Sequence, residues 1–278
     1  MNFAIIGPSG YIAPRHLASI RKLDGKIIAH LDLSDSNFDG SENSKFFSCQ
    51  DLFFEHCENN SVDYVICLSP NNLHFSQIKQ SLSKNIKIIT EKPIVISKEH
   101  FKELETLTNI NDSLFSIMQL RYHDFYQELK TLLDNANGEV HLDFLTKRKD
   151  DYQDSWKVDK EKSGGILFNI GIHYIDLFIS LLGMPNSSMV HKLDSMNAKG
   201  ILEFEKIQLA WNFSLDGQGL DKNKEGLRQV RINDTQYDFS SVSHYLHYLN
   251  YKDIVHMSGC NFNSLKDTYK TIFSINEY

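Results

Sequence analysis

The sequence predicts an α/β fold made of two domains. Up to about residue 118, short runs rich in Ile and Val alternate with longer amphipathic segments, the pattern of buried strands joined by helices. After about residue 120, apolar and polar residues alternate one by one, as in antiparallel strands with one buried face. The length of 278 residues is also long for a single core. We therefore expect an α/β domain over 1–120 and an α+β domain with a large, mainly antiparallel open sheet over 121–278.

The composition is that of an ordinary globular protein. Hydrophobic residues make up 41% and charged residues 23%, and a net charge of −7 without a basic cluster argues against a nucleic-acid partner. We find no run of about 18 apolar residues and no leader in the opening MNFAIIGPSG, so we expect a cytoplasmic protein without a membrane partner. The four cysteines lack the spacing of a zinc site or a disulfide framework, so we expect free thiols and no metal.

The first domain repeats strand and helix. Its strands are apolar throughout, which favours a parallel sheet covered on both faces. The last helix starts at Ser97, with Glu99 and His100 near the position of a capping partner. The predicted strands are 2–6, 26–31, 62–68, 86–90 and 114–118, and the predicted helices are 14–24, 48–59, 72–84 and 97–109.

The second domain shows its alternation most clearly in KIQLAWNFSL. There Ile207, Leu209, Trp211 and Phe213 share one face and polar residues take the other. We expect two helices, near 170–182 and 242–256, to cover the buried face, and a last helix to return to the first domain. The further predicted strands are 139–147, 187–195, 199–205 and 227–232, and the last helix is 264–274.

The first strand runs directly into the glycine turn GPSGYIAPRH. Gly7 can adopt backbone angles closed to other residues, Gly10 allows close approach by a ligand, and Pro14 suits the first turn of a helix. The amides at the start of that helix could hold a pyrophosphate. A glycine turn also joins a strand to a helix where no ligand binds, so the context decides.

The context is an acidic residue at the end of the second strand. Asp32 follows Gly10 by 22 positions, where a Rossmann dinucleotide-binding domain places the carboxylate that binds the ribose hydroxyls. A carboxylate there disfavours a 2′-phosphate, so we predict NAD as the cofactor. The alternatives are an aspartate that only starts a turn, or Asp35 in its place.

Two further strand ends carry polar residues where ligands of α/β sheets gather. In CLSPNNLH, Ser69, Pro70 and Asn71 could line the nicotinamide, and His74 either joins them or belongs to a turn and helix cap. The second strand end, TEKP, spans residues 90–93. There the proline restricts the backbone of Lys92 and so directs its amine, with Glu91 as the natural charge partner. A cis Lys92–Pro93 bond is an open alternative.

The segment SGGILFNIGIHYIDLF begins a helix in the second domain. Asn169, His173 and Asp176 recur at spacings of four and three, which would place them along one helix face. Buried polar side chains on an apolar helix need partners or a ligand. Together with the adjacent Gly164 and Gly165, they indicate a site.

These motifs together resemble the glucose-fructose oxidoreductase/inositol dehydrogenase/MocA (Gfo/Idh/MocA) family. The glycine turn, EKP near residue 92 and GGILFNIGIHYID near residue 170 carry the resemblance over nearly the whole chain. GYIAPRH, MQLRYH, SWK, NIGIHYID and AWNFSLD are similar to the UDP-N-acetylglucosaminuronate 3-dehydrogenases, which act in making sugars for surface polysaccharides.

The resemblance implies a catalytic pair. It places Lys92 and His173 at the C3 hydroxyl of a UDP-linked N-acetylated sugar, with Asn169 where the wider family has aspartate. An imidazole accepts a proton at neutral pH, so we assign His173 as the base and Lys92 to polarising the oxygen, with the two roles open to sharing. A dehydrogenase of a free sugar or inositol, and a regulator that binds NAD without catalysis, are the alternatives.

The resemblance also implies binding residues and an oligomer. A nucleotide sugar brings anionic groups, which suit arginine and lysine. For His244 and His247 we prefer a structural role to a substrate contact. The protein is expected to be a homodimer or homotetramer. The predicted cofactor contacts are Gly7, Gly10, Tyr11, Ile12, Asp32, Ser69, Pro70, Asn71, His74, Glu91, Lys92 and Gln119, and the predicted substrate contacts are Arg121, Arg148, Tyr152, Ser155, Trp156, Lys157, Asn169 and His173.

Overall fold

The computed structural model describes residues 1–35, 38, 41–148, 152, 155–221, 223–233, 235–239 and 245–277. The chain divides into two units. Unit 1 comprises Met1–Gln119 and His244–Asn263, and unit 2 comprises Leu120–Ser243 and Ser264–Tyr278. Unit 1 therefore includes His244–Asn263, which the sequence analysis assigned to the second domain.

Unit 1 is built on a parallel sheet. Its strands are β1 Asn2–Ile6, β2 Lys26–Leu31, β3 Lys45–Phe47, β4 Tyr64–Cys67, β5 Lys87–Thr90 and β6 Leu114–Ser116. In the described part of the chain they pair in the order β3-β2-β1-β4-β5-β6, and every pair is parallel. Strand β3 was not predicted, because three residues are too short to show a periodic pattern.

Helices cover this sheet where the amphipathic segments predict them. Helix α1 carries Pro14 in its first turn, and the Ser97 side chain caps α4 by accepting a hydrogen bond from the backbone N–H of His100. The core contains Phe3, Ile5 and Ile66, all fully buried. The helices are α1 Ala13–Lys22, α2 Gln50–Asn59, α3 His74–Ser83, α4 Lys98–Glu105 and α5 Ile110–Ser113.

Unit 2 is built on a mixed sheet. Its strands are β7 Gly138–Thr146, β8 Ser187–Leu193, β9 Asn197–Glu203, β10 Ile207–Ser214, β11 Gly226–Ile232 and β12 Thr235–Asp238. They pair in the order β12-β11-β7-β10-β9-β8; β7 and β10 are parallel, and the other recorded pairs are antiparallel. Leu209, Trp211 and Phe213 are buried on one face, as their alternation predicts.

The helices of unit 2 depart from the prediction in two places. Helix α6 (Tyr126–Asn135) was not predicted. After α7 (Lys160–Ser163), a π-helical turn, Leu167–Gly171, leads into α8 (Ile172–Leu182). Contrary to the sequence reading, the stretch Lys160–Leu182 is long and apolar enough to cross a membrane by length and composition, but 67% of its most apolar window is buried, as in a core helix.

Each of the last two helices belongs to the other unit than the one predicted for it. Helix α9 (Tyr245–Val255) belongs to unit 1, where Tyr251 and Ile254 join the core cluster of the parallel sheet. Helix α10 (Phe262–Asn276) lies in unit 2 from Ser264 onward, where Thr268 donates to Asp176. Both predictions were wrong because an apolar helix face does not specify which sheet covers it. Residues 242–244, part of the predicted helix, lie outside the described residues.

Candidate active site

The glycine turn has the shape that a pyrophosphate requires. Gly7 has a φ of +76°, and a Cβ there would lie 3.2 Å from the Leu68 carbonyl, so the position needs glycine. A Cβ on Gly10 would lie 3.3 Å from the Gly7 carbonyl oxygen. Ile12, the N-cap of α1, supplies no side-chain hydrogen bond, and Tyr11 is exposed. The turn thus lets the backbone approach a ligand closely, and α1 begins directly after it, where the N-terminus of a helix favours an anion.

The carboxylate of Asp32 is tied to this turn. Its Oδ2 accepts a hydrogen bond from the backbone N–H of Ser9 at 3.1 Å, and its Oδ1 accepts one from Leu33 at 2.7 Å. Asp35, the alternative, lies 3.3 Å from the Nε2 of His30. Asp32 is therefore the carboxylate beside the glycine turn, and the turn and carboxylate together fit the phosphates and ribose of NAD.

The predicted cofactor contacts after β4 are buried or half-buried, and one after β6 has a buried acceptor that takes no hydrogen bond from the described residues. The Ser69 hydroxyl donates to Gln77 at 2.6 Å, Pro70 is half-buried, and Asn71 is buried. The Oε1 atom of Gln119 is buried and has no hydrogen-bond partner among the described residues. It is an acceptor in place for a ligand's donor.

His74 is engaged inside unit 1. Its Nδ1 lies 2.6 Å from the Pro93 carbonyl oxygen and its Nε2 lies 2.9 Å from the Ser69 carbonyl oxygen. The ring is fully buried. Both nitrogens are occupied by the main chain, so the structure replaces the predicted cofactor contact with an internal role.

The TEKP strand end keeps its lysine half-buried and its glutamate engaged. The Lys92–Pro93 peptide bond is cis. Glu91 Oε1 lies 2.9 Å from Nε2 of His16 and 3.4 Å from Nε2 of His247. The carboxylate predicted to pair with the Lys92 amine thus binds two imidazoles. His16 was missed by the sequence analysis; the available signal was a histidine among the apolar positions of α1.

The double glycine and the π-helical turn position the polar residues of unit 2. Gly164 and Gly165 both have positive φ, near +80°, which lets the chain turn sharply before the helix. Asn169 lies within the π-helical turn, and His173 is half-buried in the first turn of α8. The π-helical turn shifts the register of the side chains before and after it, an effect that the spacing argument omitted.

Four predicted substrate contacts lie close together in unit 2. The Asn169 side-chain amide donates to the Tyr152 hydroxyl at 2.9 Å, and the Arg148 guanidinium lies over the Tyr152 ring at 5.5 Å. Partial desolvation, and then the positive charge of Arg148, lower the pKa of Lys157. Two cations, an amide and a phenol therefore form a cluster that suits an anionic, hydroxyl-bearing ligand.

Ser155 and Trp156 lie next to this cluster in the chain. The Ser155 hydroxyl donates to the Tyr152 carbonyl oxygen at 2.7 Å, which holds the local turn. Trp156 is half-buried beside them in the chain. Both remain predicted substrate contacts.

Arg121 is held by a different partner. Its Nε and Nη2 donate to the two oxygens of Asp176 at 2.8 and 2.6 Å, and Nη2 also donates to the Ser264 carbonyl oxygen. Asp176 is 1% exposed and also accepts from Thr268. Arg121 and Asp176 thus form a structural ion pair, and we leave both out of the cluster of Arg148, Tyr152, Lys157 and Asn169.

Two family models match the chain, one in each part. Residues 1–118 match the NAD-binding Rossmann fold of the Gfo/Idh/MocA oxidoreductases, and residues 138–211 match their C-terminal alpha/beta domain. The chain belongs to the Gfo/Idh/MocA oxidoreductase family. The predicted fold class and the predicted cofactor, NAD, are thereby confirmed.

Solved structures extend the likeness over the whole chain. The WlbA (WbpB) dehydrogenase of Thermus thermophilus in complex with NAD and UDP-GlcNAcA has a TM-score of 0.91 and 29% identity, and the match covers 99% of this chain and 94% of that one. The same dehydrogenase with NAD and alpha-ketoglutarate gives a TM-score of 0.90. The WlbA dehydrogenase of Bordetella pertussis, at 16% identity, shares the fold with a TM-score of 0.79.

Matches to curated relatives are shorter. An uncharacterized oxidoreductase of Schizosaccharomyces pombe is 30% identical over 153 residues, which is 52% of this chain. The match spans only 40% of that relative's length.

Proposed function

We propose that this protein oxidises the C3 hydroxyl of a UDP-linked N-acetylated sugar to the ketone with NAD, and that UDP-N-acetylglucosaminuronate (UDP-GlcNAcA) is the substrate. The likeness to a dehydrogenase that binds NAD and UDP-GlcNAcA, at 29% identity over 99% of the chain, is the observation that carries the proposal. The clustered Arg148, Tyr152, Lys157 and Asn169 support it, because a diphosphate and a uronate offer anions to the cations and hydroxyls to the amide.

In the proposed reaction, His173 removes the hydroxyl proton while Lys92 polarises and orients the same oxygen. An imidazole is suited to accepting a proton near neutral pH, and a positively charged amine stabilises the oxygen as its proton leaves. Bound NAD⁺ supplies the hydride acceptor for the C3 hydrogen. Asn169 cannot act as a base, because an amide has no proton-accepting carboxylate, so we assign it to binding the sugar.

A substrate panel tests this proposal. The purified protein is assayed for NADH formation with NAD⁺ and UDP-GlcNAcA, UDP-N-acetylglucosamine or myo-inositol, each with and without alpha-ketoglutarate. In the arm with alpha-ketoglutarate the 3-keto sugar is measured instead of NADH, because NADH that is reoxidised in place does not accumulate. We expect oxidation of UDP-GlcNAcA with the highest kcat/KM; turnover of myo-inositol alone would reject the nucleotide-sugar proposal.

Two variants test the catalytic pair against a non-catalytic regulator. We expect Lys92→Met and His173→Ala each to lower kcat about 100-fold or more, because each removes a group that acts on the reacting hydroxyl. His191→Ala, at an exposed position of β8, is the matched control. Unchanged turnover in both variants would refute the assigned roles.

A further inference from the structure

Two ionisable groups, one half-buried and one buried, hold the chain immediately on either side of Lys92. On one side is Glu91, which binds His16 of α1 and His247 of α9. On the other is Pro93, whose carbonyl oxygen lies 2.6 Å from His74 of α3. These contacts lie entirely within unit 1. Glu91, His16 and His247 form the glutamate cluster.

Hydrogen bonding fixes the protons in the glutamate cluster. A carboxylate only accepts, so the Nε2 atoms of His16 and His247 each carry a proton toward Glu91. The Tyr251 hydroxyl lies 2.8 Å from Nδ1 of His16, and it donates to that nitrogen when the ring carries one proton, on Nε2. Nδ1 of His247 is buried without a hydrogen-bond partner in the described part of the chain, so a proton there would have no acceptor. Burial lowers the pKa of His16, so each ring carries its proton on Nε2 alone.

The charge of the glutamate cluster thus rests on Glu91. Burial opposes its ionisation, but the hydrogen bonds from His16 and His247 outweigh burial and hold the pKa of Glu91 well below its ordinary value. Burial also lowers the pKa of His16, which keeps that ring neutral. The second carboxylate oxygen, Oε2, is left to accept the backbone N–H of Lys92 at 3.3 Å.

His74 has the opposite charge for a similar reason. Both of its nitrogens face carbonyl oxygens, which only accept, so both must carry protons and the ring is a cation. Burial opposes the charge, but Cys67 and the two carbonyl oxygens outweigh it and raise the pKa of His74 to about 9. The cation joins the loop after β4, through Ser69, to the loop after β5, through Pro93.

We propose that Glu91 and His74 are positioning residues for Lys92: the Glu91 carboxylate holds the Lys92 backbone N–H, and the buried His74 cation holds the carbonyl group of Pro93. The main chain of Lys92 is thereby fixed from both sides, which fixes the point from which its side chain extends toward the reacting hydroxyl. This inference rests on the proposed function, in which that amine polarises the reacting hydroxyl. Precise placement matters because a displacement of about 1 Å can cost about 100-fold in rate.

The glutamate cluster also has the composition of a metal site. One ligand atom from each of its three residues lies within 4.8 Å of the others. Two neutral imidazoles donating to one carboxylate already account for these contacts, and their protons point where a metal ion would sit. The geometry therefore favours a hydrogen-bonded network, and bound zinc is an outcome that the experiment must be able to show.

Kinetics of matched variants test the positioning role. We expect Glu91→Leu and His16→Leu to lower kcat for UDP-GlcNAcA at least tenfold while the Kd for NAD⁺ changes less than threefold. His16→Gln retains a donor near the position of Nε2 and should recover most of the lost kcat. His56→Gln, on a partly exposed face of α2, is the control. If the variants unfold at a lower temperature but keep the same kcat per folded molecule, the residues are only structural and the positioning role is overturned.

Nitrogen NMR on the unmodified protein gives a readout that needs no turnover. With ¹⁵N-labelled histidine at pH 7.5, we expect His74 to carry protons on both nitrogens and His16 to carry one, on Nε2. The Lys92 amide should exchange slowly with solvent, and faster in Glu91→Leu. A neutral His74 or a fast-exchanging Lys92 amide would overturn the proposal. So would one equivalent of zinc that is bound to the unmodified protein and absent from His16→Gln. Absence of sugar oxidation together with the expected NMR result would refute the proposed function and leave the positioning of Lys92 intact.

Discussion

Asp32 shows how a single side chain sets cofactor preference. Its two oxygens accept from Ser9 and Leu33, which holds the carboxylate at the glycine turn. Each carboxylate oxygen has a second lone pair for a ribose hydroxyl. A 2′-phosphate would instead bring negative charge against a fixed carboxylate, so the residue favours NAD over NADP.

We therefore predict that Asp32→Ser lowers kcat/KM for NAD⁺ about tenfold or more and narrows the preference over NADP⁺. The physical reason is that hydrogen bonds to a charged group contribute about 1.5–3 kcal/mol each, and the repulsion of the phosphate is removed together with them. Steady-state kinetics with both cofactors measure the change. Asp35→Ser is the control, since Asp35 pairs with His30 away from the turn; an equal shift in that variant would contradict the assignment.

At the scale of elements, one glycine lets β9 and β10 pack closely. Gly200 lies opposite Trp211 in the antiparallel pair. A Cβ at Gly200 would lie 2.6 Å from Cζ2 of Trp211 and would also clash with the Met189 carbonyl oxygen on β8. The indole is 1% exposed, so it cannot move away without opening the core of unit 2.

We predict that Gly200→Ala lowers the free energy of unfolding by about 1–3 kcal/mol, the usual range for overpacking a core. Chemical denaturation measures it. Gly226→Ala is the matched control on β11, where the added Cβ would meet only ordinary contacts, 3.5 Å or more away. Equal stability of the two variants would show that the sheet adapts around Trp211.

At the scale of the molecule, the second face of the mixed sheet carries an apolar row that a partner could cover. The face opposite Trp211 carries Met189, Ile201 and Ala210 as a row of cross-strand neighbours, and Met189 is 58% exposed. Partly exposed apolar rows on a broad sheet are characteristic of protein–protein contacts. This row supports the expectation of a symmetric homo-oligomer.

Light scattering tests that expectation. We predict a mass of two or four chains at micromolar concentration, and a shift toward the 32.1 kDa monomer in Ile201→Glu, because a buried, unpaired charge is costly in an interface. Lys130→Glu places the same charge at an exposed position of α6, outside this sheet, and serves as the control. A monomeric mass for the unmodified protein would contradict the prediction.

The sequence by itself predicted most strands and helices, but not β3, α5, α6, α7 or β12. It also predicted the glycine turn, Asp32 at the end of β2, and the motifs around Lys92 and His173. Period and turn chemistry are local properties, so they can be read along the chain. Only the tertiary structure decided that α9 covers the parallel sheet and α10 the mixed one, that Asp176 binds Arg121, and that Glu91 binds two histidines. These contacts join residues as far as 156 positions apart, as in Glu91 and His247. Many partners of equal chemistry compete for each of them, and packing alone selects one.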